Sequence, residues 1–154
     1  MSLYGVEHAK TRKVLHAFPP EQFQFKPHER SNTALQLAWT FVVEEMLMLR
    51  ALTGEPVLGS GFPKAPATWD EVLSAFDETI EKVLKAAVAT SDAQLKPVTF
   101  YVAPKKTGEF APVDFLWFIL SDQIHHRGQM SVYNRMAGGK VPSIYGPSAD
   151  EPWF

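Results

Sequence analysis

The stretch 115–133, FLWFILSDQIHHRGQMSVY, constrains this chain more than any other. At about 100° per residue, Phe115, Phe118, Ile119, Asp122, His126, Gln129, Met130 and Tyr133 share one arc of a helix. An apolar stripe of this kind faces a core. Asp122 and His126 fall near the middle of the arc, one turn apart, with Phe118 and Ile119 before them and Met130 and Tyr133 after. Burying a carboxylate and an imidazole unpaired is costly, so both must find partners or stay wet. Two readings follow. The pair is a metal or acid–base site, or it is an internal hydrogen-bonded pair reaching Thr40, Glu44 or Tyr133.

The rest of the chain supplies helices for this one to pack on. Residues 6–18 form a modest helix ended by Pro19-Pro20. A second helix starts at Ser31 or Asn32 as cap and runs to about Leu52, where Thr53-Gly54-Glu55-Pro56 stops it. It is apolar over most of its circumference, which predicts a largely enclosed helix. Thr40 and Glu44 share one of its faces with Leu37, Phe41, Leu47 and Met48, whereas Glu45 has no evident polar face to sit on. Residues 58–66, LGSGFPKAP, are a glycine- and proline-punctuated loop without a nucleotide-binding glycine pattern. A third helix begins at Thr68, with Asp70 and Glu71 in its first turn. Val72, Leu73, Phe76, Ile80, Val83, Leu84 and Ala87 form its apolar stripe, and its charges read as a solvated face.

Residues 91–112 are a long connection. Val98 to Val102 has strand-like composition, but a lone strand needs a partner, and none is evident. The segment is therefore expected to lie extended over the bundle mouth, with Lys105 and Lys106 at its turn. The fourth helix runs from Pro112 to about Met136, with Gly138-Gly139 past its end. The proline-rich tail beyond is not helical, and Ile144, Tyr145, Trp153 and Phe154 predict that it packs on the bundle. The fold expected is all-α: one domain, 1–154, a four-helix bundle with a long connection before the fourth helix and an ordered tail.

Composition removes several classes of function. With no cysteine, any metal must sit on imidazole, carboxylate or water. A net charge of −2 lacks the basic footprint of nucleic-acid binding. No apolar run reaches membrane-spanning length, and MSLYGVEHAKTRK lacks the apolar core of a signal peptide, so a cytoplasmic location is expected. His8, His16 and His28 have no pair spacing and read as surface residues. Arg127 points away from the apolar arc, toward a tail carboxylate such as Asp150, and Arg135 is similar. Trp117, Leu120 and Ile124 make the outer face of the fourth helix apolar as well, so it is either enclosed or part of a subunit interface.

Asp122, His125-His126-Arg127-Gly128-Gln129, Tyr133, Arg135, Gly138-Gly139-Lys140 and the tail VPSIYGPSADE together resemble the DinB family, which takes in the DinB/YfiT-like metalloenzymes. The likeness extends to helix order, the connecting segment and chain length. It implies a divalent metal, zinc or nickel, on three histidines: one from the second helix and two from the fourth at i, i+4. Here these positions fall on Thr40, Asp122 and His126. Two of the three depart from histidine. Aspartate still ligates such ions, threonine does so poorly, and Glu44 stands one turn beyond Thr40. The resemblance also implies a homodimer and thiol-transfer or hydrolytic chemistry on a small substrate, with Glu44 as ligand or base and Tyr133 as a polar pocket residue. The alternative is a small-ligand-binding or stress-associated bundle that has lost its metal.

Overall fold

The computed structural model describes residues 3–59 and 61–154. These residues form four helices, α1 (Leu3–His16), α2 (Ala34–Thr53), α3 (Trp69–Ala89) and α4 (Pro112–Met136), and two strands, β1 (Val98–Ala103) and β2 (Lys106–Phe110). α2 packs mainly on α3 and α4, and α1 on the same two, so α1 and α2 lie diagonally across the bundle. One apolar cluster gathers Leu15, Phe18, Phe41, Phe76 and Met130. A second gathers Leu47, Met48, Val83, Phe115 and Ile119. No helix among the described residues is long and apolar enough to cross a membrane.

The helix ends follow local chemistry. Thr33, not Ser31 or Asn32, caps α2: its hydroxyl accepts from Gln36 N at 3.1 Å, and the Gln36 side chain accepts from Thr33 N at 2.9 Å. Only Thr33 has a glutamine three residues on, which is what a reciprocal capping box requires. Thr68 and Glu71 make the same box for α3. Gly54 closes α2 in the left-handed region at φ 73°. Pro112 opens α4 inside its first turn, where its missing N–H costs nothing.

Three expectations are corrected. The connection before α4 holds a β-hairpin, with Val98 opposite Phe110 and Ala103 opposite Lys106, so the chain is mostly helical rather than purely α. Its second strand, Lys-Thr-Gly-Glu-Phe, is too polar to announce itself, and the pairing rests on backbone bonds and on Phe100 and Phe110 packed against Phe115. The tail is ordered, but Trp153 and Phe154 are exposed. Ile144 packs on the core. Ion pairs add to this: Lys13–Glu151 at 2.6 Å and Arg135–Asp150 at 2.7 Å.

The third correction concerns α4, which is turned about one residue from the expected arc. Phe115, Ile119, Met130 and Tyr133 are buried as expected, but Leu120, Gln123, Arg127 and Asn134 are buried with them. Phe118 is 41% exposed, Gln129 is exposed, and Asp122 and His126 sit half-buried at the edge. Arg127, 1% exposed, donates to Glu7 Oε2 at 2.6 Å and Glu7 O at 2.9 Å, and also reaches Tyr145 of the tail. It therefore pairs with α1, and Asp150 is left to Arg135.

Burial pushes the Glu7 carboxyl up, but hydrogen bonds from Lys10, Tyr145 and Arg127 outweigh it and hold the group at about 2 against its ordinary 4.5. A carboxyl lowered by folding stabilises the fold fully above its unfolded value and loses that contribution as pH falls toward the folded one. Glu7→Gln is therefore expected to flatten the pH dependence of the urea midpoint between about 4.5 and 2. An unchanged slope across that window would show that the Arg127 cluster does not hold Glu7.

Candidate metal centre

Glu44 of α2 faces Asp122 and His126 of α4 across the helix interface, each residue offering a ligand atom within 4.8 Å of the others. Glu44 is buried, and its Oε1 lies 2.7 Å from His126 Nδ1. Its other oxygen, Oε2, is buried with no hydrogen-bond donor. Burial pushes the Glu44 carboxyl up, the His126 ring draws it down, and the neighbouring Asp122 carboxylate pushes it up again, to about 7. His126 is raised in turn, chiefly by its bond to Glu44. The ring sits edge-on to Phe41 at 6.3 Å. Two carboxylates crowd one imidazole, and one buried oxygen lacks a donor. A divalent cation satisfies that oxygen and neutralises both acids, so the residues present fit such an ion.

The other residues singled out in the sequence lie differently. Thr40 is on the same face of α2, but its hydroxyl donates to Gln36 O of its own helix at 3.1 Å. The Tyr133 hydroxyl donates to Asn32 O at 3.0 Å, with its ring edge-on to Phe25. The α2 N-cap beside Asn32 is roughly 16 Å of helix rise from Glu44, so Tyr133 is not brought to the group. His125 is exposed and bonded to Gln129.

A second polar group lies one residue away on both helices. Glu45, 0% exposed, accepts from the Tyr4 hydroxyl, His8 Nε2 and Gln123 Nε2. The other ring nitrogen of His8, Nδ1, lies 2.9 Å from Tyr4 O, which can only accept. Burial, and then Glu45, drive the Tyr4 hydroxyl far above its ordinary value, which keeps it a donor. His8, read as a surface residue, is 3% exposed. Two signals pointed here: the i, i+4 spacing of Tyr4 and His8, and a Glu45 with no polar face of its own. The Glu45–Gln123 bond sets the register of α2 against α4 beside Glu44 and Asp122.

The architecture and this acid-rich site define a helical bundle with a candidate divalent-metal centre. Residues 4–153 match the DinB family, and the chain belongs to it. Among solved structures, a DinB-like protein of Bacillus cereus ATCC 10987 superposes with TM-score 0.75 at 21% identity, over 92% of this chain and 93% of that one. A DinB-like protein of Bacillus subtilis gives TM-score 0.71 at 15% identity, over 90% and 92%. Both likenesses speak for the fold alone. A 36-residue stretch is 56% identical to the uncharacterised protein YrdA of Bacillus subtilis strain 168, covering 23% of this chain and 22% of that protein.

Gln123→Leu removes one donor from Glu45 while keeping an apolar filler in the core. It is expected to cost about 1–3 kcal/mol in urea unfolding while helix content is retained. A cost near zero would mean that Gln123 does not support Glu45.

Proposed function

We propose that this chain is a divalent-metal-dependent enzyme of hydrolase or transferase type, with Glu44, Asp122 and His126 as the metal ligands. The observation that carries this reading is the buried, donorless Oε2 of Glu44 beside a second carboxylate. A bound ion would supply Lewis acidity, lowering the pKa of a small thiol or of water to make a nucleophile near neutral pH. His126 is oriented by Glu44 and Phe41, and the Glu45–Gln123 bond joins the same two helices one residue further on. Asp122 and His126 are half-buried and so open to solvent, as ligands that must also meet a substrate have to be. Neither Thr40 nor Tyr133 is needed as a donor. The substrate class, a small thiol or a hydrolysable small molecule, comes from the family resemblance. Pairing of two copies across the exposed Val113 and Trp117 of α4 belongs to the same proposal.

A second reading, a ligand-binding bundle without catalysis, is favoured by one feature. A cavity of about 410 Å³ is lined by Tyr4, Met48, Leu52, Val83, Leu116 and Trp117 among others, and not by Glu44, Asp122 or His126.

Elemental analysis of untagged protein separates the two. The metal reading expects about one divalent ion per chain, lost in His126→Ala with the fold intact. Metal content unchanged by that substitution, or no uptake from any divalent salt, overturns it. A second outcome follows from proton linkage. Glu44 holds its proton more tightly folded than unfolded, so the metal-free protein loses stability as pH rises from about 4.5 past 7. His126, also raised, loses its contribution in the same direction. EDTA-treated protein is thus expected to melt lower at pH 8 than at pH 6, and Glu44→Gln to reduce the difference. Equal melting at both values would contradict a Glu44 carboxyl raised by burial and by Asp122.

A further inference from the structure

We propose that this centre is tuned to an oxygen-preferring divalent ion of the manganese or ferrous kind rather than to zinc or nickel. The inference rests on the metal reading above and adds the identity of the ion. Its ground is the donor set. Glu44 and Asp122 each offer a carboxylate oxygen, and His126 brings the one nitrogen. Such a set neutralises a divalent ion with hard oxygen donors, which suits manganese and ferrous iron. Zinc and nickel owe their advantage in protein sites to nitrogen and sulfur donors, and the chain has no cysteine at all.

The site has little access to further nitrogen. His8 is committed to Glu45 and Tyr4 O. His16 and His28 are exposed, on α1 and on the segment before α2. His125 neighbours His126, with ring centroids 5.5 Å apart, but it is turned out to solvent and bonded to Gln129. On the α2 side, the residue one turn before Glu44 is Thr40, whose hydroxyl is spent on Gln36 O. The orphaned oxygen of Glu44 makes the same point from within: the buried group seeking a partner is itself a carboxylate.

Zinc outbinds manganese at most protein sites in absolute terms, so the tuning shows in the ratio of their affinities. The test uses untagged, metal-stripped full-length protein, titrated with Mn²⁺ by loss of the free-ion paramagnetic resonance signal and with Zn²⁺ by competition against a chromophoric chelator. Wild type is expected to take up one Mn²⁺ per chain. Asp122→His should weaken manganese and strengthen zinc, moving the ratio toward zinc by about a hundredfold, tenfold from each side. His126→Asp should move it toward manganese, and it supplies the readout if Asp122→His fails to fold by circular dichroism. Wild type that binds zinc but not manganese, or a ratio indifferent to both substitutions, overturns the tuning and leaves the metal reading standing. Wild type that binds neither ion overturns both.

Discussion

Glu45 is the contact on which the bundle depends. A carboxylate stripped of water costs several kcal/mol unless its partners are in place, and removing one partner of a buried charge is strongly destabilising. Here the partners come from two other helices, Tyr4 and His8 from α1 and Gln123 from α4. The interaction therefore forms only when three helices are in position together. It also holds α1, which has few fully buried apolar side chains of its own, Val14 and Leu15 among them. Arg127 repeats the device further along α4, tying Glu7 of α1 and Tyr145 of the tail to one guanidinium. Between these two nodes α1 is fastened by polar contacts as much as by apolar ones.

This arrangement explains the placement of the candidate centre. Glu44 and Asp122 each precede a residue of the Glu45–Gln123 bond, so the core staple lies directly behind the acids. Burial first, and then the neighbouring Asp122 carboxylate, raise the Glu44 carboxyl against the pull of His126. The staple and the apolar packing on either side of it, not the acids, keep the helices close. The site therefore holds two acids close in a frame set by other contacts, an arrangement that a bound cation would relieve.

Much of the fold was legible because its punctuation is chemical. Pro112 and Gly138 bracket α4, and Thr68 with Glu71 opens α3. The conjunction of Glu44, Asp122 and His126 was also legible, since helix periodicity put each on an inward-leaning face. The hairpin was not, because its second strand has neither alternation nor β-branched composition beyond one threonine. The rotation of α4 was missed for a different reason. Counting apolar positions treats Gln123 and Arg127 as surface, which centres the stripe on Asp122 and His126. Their burial becomes favourable only through partners far away in the chain, 78 residues for Gln123 and 120 for Arg127. Nothing local reports such a partner. His8 was hidden in the same way, by a carboxylate 37 residues on.

Adjacent positions on a helix point about 100° apart. On α2 and α4 that angle assigns Glu45 and Gln123 to the scaffold and Glu44 and Asp122 to the cleft edge. The two duties are thus written into neighbouring codons yet are mechanically independent. Substitutions at the cleft edge can exchange one donor type for another, or erase the donors, without loosening the staple that keeps the helices together. The chemistry offered at this edge can therefore change while the architecture stays the same.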